Sequence, residues 1–204
     1  SVHYYYDNTP PSATIISPLE GEKINENIII SGTVEDENLW RYYFVVLNSS
    51  NKIVSGPGTI YHDGPVALPS FQWNIENESS GAYTIRLAAR DKANNRVNSI
   101  SMDEINITID KEPPSQPSNM TIYQGSSLEG KELGCYGYTN QRVITVDWDD
   151  NSENDLSHYM YQVKDNGWTT TTILSERTGT IRDRDGIYEY RVNAVDDTGN
   201  ISEW

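Results

Sequence analysis

Short apolar or alternating runs recur about every ten positions along this chain, each closed by Gly, Pro, Asn or Asp. Alternation with a period of two marks a strand, because successive side chains point to opposite faces. In the first half the pattern predicts strands near 12–17, 27–34, 40–48, 70–75, 82–90 and 98–109. In the second half it predicts them near 119–123, 142–148, 158–164, 168–173, 177–182, 187–195 and from 201. Asp165-Asn166-Gly167 reads as a tight hairpin turn, since Asn-Gly accepts the positive φ of a type I′ turn. No stretch carries a 3.6-residue period with caps, so an all-β chain is expected.

The pattern also repeats. Gly81 to Asp91 and Gly186 to Asp196 both read G-x-Y-x-x-R-x-x-A-x-D, 105 positions apart, and both run into a turn. Asp7 to Pro11 returns as Asp110 to Pro114, 103 positions later. Two phrases with nearly one period imply two copies of one domain, each introduced by an acidic Pro-Pro linker. The expected boundaries are 7–110 and 111–204, with 1–6 as the end of an upstream module or a donated strand. Val2 to Tyr6 reads as such a strand, and Ile201 to Trp204 as the start of one that continues, so a longer protein is expected. Proline fixes φ and removes a donor, which makes Lys111 to Pro117 a semi-rigid linker. Gly125 to Gly137, with Cys135 inside, has no counterpart in the first half and reads as a loop insertion.

Several of these segments resemble known modules. Val143 to Trp148, then Asp155, Leu156, Tyr159, Tyr161 and Val163, then Tyr188 to Asn200, resemble a prokaryotic fibronectin type III domain. The first half is similar to the immunoglobulin-like modules of prokaryotic surface proteins in its Asp7-x-x-Pro10-Pro11 entry, Gly32-Thr33-Val34, Leu39-x-x-Tyr42 and Tyr83 to Asp91. It departs from that pattern at Asn94-Asn95, where Gly-Asn is usual; Asn also tolerates the left-handed region. The resemblance implies two tandem immunoglobulin-like β-sandwiches, the second of fibronectin type III type. It further implies stalks and spacers of adhesins, surface layers and secreted polysaccharide-degrading enzymes. Fold alone does not assign function.

Composition narrows the partners. The 204 residues suffice for two domains, and 14 Tyr and 5 Trp supply core bulk in a chain only 36% hydrophobic. A net charge of −15, from 30 acids and 15 bases, repels phosphate backbones and anionic lipid surfaces, leaving cations as the natural complement. No apolar run approaches a membrane span. A single Cys excludes an intrachain disulfide. Sequons at Asn48, Asn77, Asn106, Asn119 and Asn200 permit an extracellular setting.

The one constellation with chemistry is acidic. In a sandwich, the loop between the second and third strands, the turn after the sixth and the entering linker share one pole. In the first domain they carry Asp7, Glu35, Asp36, Glu37 and Asp91. In the second they carry Asp110, Asp149, Asp150, Glu153, Asp155, Asp196 and Asp197. Crowded carboxylates repel unless a cation or a proton joins them, and Ca²⁺ suits six to eight irregular oxygens. Ca²⁺ is therefore the expected cofactor, with Asp7, Asp36 and Asp91 on one pole and Asp110, Asp150, Asp155 and Asp196 on the other. The alternative is that Asp91 and Asp196 cap their turns, as Asp7 and Asp110 do before Pro-Pro. Asp147 to Asn151 lacks the Gly and distal Glu of an EF-hand loop.

Other candidates carry less. His3, His62 and His158 show no metal spacing, and no nucleophile motif surrounds Cys135, so no enzyme is expected. Tyr83 and Tyr188 are expected as tyrosine corners, with Trp40 and Trp148 in the cores. Trp168 follows the hairpin turn and is the candidate sugar platform, against core or edge packing. A Lys–Asn or Lys–Asp crosslink would require a buried Lys, and nothing marks Lys23 or Lys52. The expected role is an extracellular, non-catalytic spacer whose partners are neighbouring modules. A glycan- or protein-binding adhesin is the first alternative. A filament or surface-layer subunit self-assembling through Tyr4 to Tyr6 is the second.

Overall fold

The protein is described here by a computed structural model covering residues 1–93, 95, 102–134, 136–164, 167–173, 177–181 and 185–204. It is all-β and divides into two compact units, Ser1–Lys111 and Glu112–Trp204. Asn94, Cys135, Asp165 and Asn166 lie outside the described residues.

Among the described residues the first unit holds nine strands. They are β1 (Ser12–Ser17), β2 (Lys23–Ile24), β3 (Ile28–Glu35), β4 (Leu39–Asn48), β5 (Ile53–Tyr61), β6 (Val66–Ala67), β7 (Ser70–Trp73), β8 (Gly81–Asp91) and β9 (Asp103–Ile109). One sheet runs β1-β3-β6, with β7 also on β3; the other runs β2-β9-β8-β4-β5. This is an immunoglobulin-like sandwich in which the short β2 pairs parallel to β9. The inner faces bury Ile30, Val34, Phe44, Trp73, Ile85 and Leu87 among others, and Trp73 meets Tyr83 at 5.3 Å between ring centroids. Tyr83 is the expected corner: its hydroxyl donates to Ser79 O at 3.0 Å.

The second unit holds β10 (Thr121–Gln124), β11 (Glu132–Leu133), β12 (Val143–Asp147), β13 (Leu156–Lys164), β14 (Trp168–Ile173), β15 (Arg177–Ile181) and β16 (Glu189–Asp196). The sheets run β11-β10-β12-β15 and β14-β13-β16, the fibronectin type III arrangement. Trp148 and Tyr159 pack edge to face at 5.4 Å in a core with Ile144, Val146, Val192 and Ala194.

Three expectations change. The stretch Ile53–Tyr61, which falls outside the predicted strands, forms edge strand β5. Its ladder skips between Phe44↔Gly58 and Val46↔Ser55, and that bulge absorbs Gly56 and Pro57 where no donor is needed. Trp40 is 36% exposed rather than core, because a register shift between Leu39 and Arg41 hands the inward position to Leu39. Trp40 lies beside Tyr61, with the Arg41 guanidinium 4.6 Å from its ring centre. The insertion is not wholly loop, since β11 pairs with β10 at the sheet edge. A Cβ on Gly130 would lie 1.8 Å from Gln124 O, so only glycine permits that fold-back. Tyr188 sits half-buried outside β16, Val2 to Tyr6 are exposed without strand structure, and Ile201 contributes one bridge, to Val195.

Candidate functional site: a carboxylate cluster at the pole of the first sandwich

The strand period itself places the central acid. Along β8, Tyr83, Ile85, Leu87, Ala89 and Asp91 occupy the inward positions, and all are buried. Asp91 thus continues a hydrophobic row and is 0% exposed. Asp36 follows β3 in the loop to β4. Its backbone amide donates to Pro65 O at 2.8 Å, and its Oδ1 accepts from the Asn38 amide at 2.7 Å. The Lys92 amide donates to Asn38 O at 2.8 Å, which draws that loop against the end of β8.

Asp7 arrives from the lead-in. Its Oδ1 accepts from the Thr9 amide at 3.0 Å, its Oδ2 from Asn38 Nδ2 at 2.7 Å, and its carbonyl from Asn95 Nδ2 at 3.0 Å. Behind it, Pro11 is buried. The carboxylates of Asp7, Asp36 and Asp91 each offer an oxygen within 4.8 Å of the others. Asp91 Oδ1 accepts from the Asn95 amide at 2.7 Å; its buried Oδ2 has no hydrogen-bond partner among the described residues. Burial pushes the Asp36 carboxyl above its ordinary value; the Asn38 amide opposes this, and the charges of Asp91, Asp7 and Glu37 add to it. Glu35 and Glu37 themselves are exposed.

The equivalent acid of the second unit is treated differently. Asp196 also ends an inward row, after Val192 and Ala194, and is 3% exposed. Its Oδ1 accepts from the Thr198 amide at 2.9 Å, the Thr198 hydroxyl at 2.8 Å and the Asn200 amide at 2.8 Å. Its Oδ2 accepts from Asn200 Nδ2 at 2.9 Å. Burial raises the carboxyl, but the bonds from Asn200 and Thr198 outweigh it and hold it below 3.8. The contrast lies in one side chain: Asn200 Nδ2 bonds Asp196 Oδ2, whereas its counterpart Asn95 Nδ2 bonds the Asp7 carbonyl instead.

The remaining expected acids also have local contacts. Asp110 lies within the first unit, 4.0 Å from Lys23 Nζ, and this half-exposed Lys23 is no crosslinking lysine. Asp150 Oδ1 accepts weakly from the Tyr159 hydroxyl at 3.5 Å, and the half-buried Asp155 accepts through its carbonyl from the Asp197 amide at 2.8 Å. Asp149 accepts from Asn119 Nδ2 at 2.6 Å. Glu153 accepts from the Ser115 amide at 3.0 Å, and the Ser115 bonds hold its carboxyl below the usual range. Trp168 is 39% exposed, but Arg191 lies 4.0 Å from its ring centre and 4.3 Å from that of Trp204. A sugar stacking on that face would have to displace the guanidinium.

Lys111 is the residue the sequence reading missed. Its Nζ donates to Ile75 O at 2.5 Å, Glu78 O at 2.7 Å and Glu76 O at 3.3 Å, and its amide donates to Ser80 Oγ at 3.1 Å. Its place directly after the last strand of the unit was the available signal.

Among solved structures, the chain is similar to the fibronectin(III)-like modules of Clostridium thermocellum CbhA, at 18% identity over 94% of this chain and 89% of that one, with a TM-score of 0.45. It is also similar to a chain of a cytokine receptor complex, at 17% identity over 95% and 92%, with a TM-score of 0.34. No family model and no curated protein matches.

Proposed function

We propose that this chain is a non-catalytic, extracellular spacer segment of a surface or secreted protein, built to hold neighbouring modules in place. One observation carries the reading: each sandwich grips the peptide that enters it. In the first unit the grip is Asn95 and Asn38 on Asp7, and Lys111 fixes the exit to three carbonyls. In the second unit Asn200 Nδ2 reaches Glu112 O at 3.5 Å, Glu153 holds the Ser115 amide, Asn151 holds the Ser115 carbonyl, and Pro114 and Pro117 are buried. A tether needs none of these bonds; a mounting needs all of them.

The test is ¹⁵N relaxation on the whole chain in EDTA. Backbone order parameters near 0.85 at Asp7, Thr9 and Ser115 support the mounting; values below about 0.6 at these residues contradict it.

A further inference from the structure

We infer that the pole of the first sandwich is a Ca²⁺ site formed by Asp7, Asp36 and the buried Asp91. Two independent observations meet there. First, the three carboxylates offer oxygens within 4.8 Å of one another. Ligands around one Ca²⁺ at about 2.3–2.6 Å lie at most about 5 Å apart, so the spacing of the three oxygens is compatible with one shared ion. Second, Asp91 Oδ2 is buried with no hydrogen-bond partner among the described residues, on a side chain with no exposure. A buried carboxylate oxygen left bare is costly, and a cation removes that cost.

No Lys or Arg forms an ion pair with any of the three among the described residues. Lys92, which follows Asp91, turns its ammonium to Asp63 at 2.8 Å. Backbone amides already occupy Asp91 Oδ1 and Asp36 Oδ1, which fixes both carboxylates in orientation. Oxygen-only ligands of irregular geometry suit Ca²⁺ above Mg²⁺, which demands a near-ideal octahedron, and above Zn²⁺, which prefers nitrogen or sulfur. Three carboxylates with water completing the shell place the dissociation constant at roughly 10⁻⁴–10⁻³ M, the range of extracellular modules.

The inference deepens the mounting reading, because Asp7 belongs to the gripped lead-in. The two remain separable: the grip is measured in EDTA, and the ion by its binding. The experiment is calorimetric titration of the whole chain with CaCl₂, and with MgCl₂ as control, together with thermal unfolding in EDTA and in millimolar Ca²⁺. Asp7→Asn and Asp36→Asn keep side-chain shape and lie outside the core; Asp196→Asn is the control at the equivalent self-satisfied position. The expected result is Ca²⁺ binding and a rise in Tm of roughly 2–10 °C. Asp7→Asn and Asp36→Asn should each remove one equivalent of bound Ca²⁺, while Asp196→Asn retains it. No binding at millimolar Ca²⁺, or binding unchanged in Asp7→Asn and Asp36→Asn, overturns the site. The crowded acids would then share a proton instead.

Discussion

Asn95 donates its side-chain amide to the backbone carbonyl of Asp7, 88 positions earlier, at 3.0 Å. Asn200 makes the corresponding contact to Glu112, also 88 positions earlier, at 3.5 Å. The same turn position thus ties each sandwich to its own entering peptide. The repeated phrase carries this device along with the strand that precedes it.

Asn95→Ala removes one neutral hydrogen bond and leaves the Asn95 amide on Asp91 Oδ1 intact. Urea unfolding should show a loss of about 1 kcal/mol. A much larger loss would mean that the side chain supports the core rather than the lead-in.

Lys111→Met keeps the aliphatic stem and removes the ammonium from the carbonyls of Ile75, Glu76 and Glu78. Charge-assisted bonds to part-buried carbonyls are worth about 1.5–3 kcal/mol each before the desolvation of the ammonium is subtracted. The expected net loss is about 2 kcal/mol in the unfolding of the first unit, with the second unit unchanged. Separate Tyr or Trp reporters in the two units would resolve this.

Asp196 and Asp91 stand at one repeat position, yet the first four ligands of Asp196 are its own turn. The folded state holds Asp196 below its ordinary 3.8. A lowered folded pKa means stability that is present above 3.8 and lost as pH falls through the folded value. Asp196→Ala should therefore destabilise the second unit by about 2–3 kcal/mol at pH 7, and the deficit should shrink in acid. A deficit constant from pH 7 down to pH 2 would contradict the assignment.

Strand existence was legible because period-two burial is written into residues such as Tyr83, Ile85 and Leu87. The cluster was legible to the same degree: the loops that carry Asp7, Asp36 and Asp91 share a pole once the sandwich topology is granted. What the residues could not reveal was which acids are already partnered. That depends on single neighbours, such as Asn200 against Asn95, and on side chains that reach across many positions. β5 was hidden because Gly56 and Pro57 argue for a loop unless the bulge is known. Trp40 was misplaced because one register shift moves a side chain to the other face.

Gly56 gives a sharp check on that bulge. Its φ is +107°, and a Cβ there would lie 2.6 Å from Phe44 O. Gly56→Ala should cost at least about 2 kcal/mol through strain and overlap, measured by chemical unfolding. A neutral effect would mean that β5 does not bulge there.

Whether the sandwich pole holds its entering peptide is read out by pulsed dipolar EPR. Spin labels at Asn8→Cys and Lys52→Cys, on a Cys135→Ser background, report the distance between the lead-in and the body of the first unit. A gripped lead-in gives a single narrow distribution in EDTA that broadens in Asn95→Ala. A broad distribution in the parent protein, unchanged by Asn95→Ala, would contradict it.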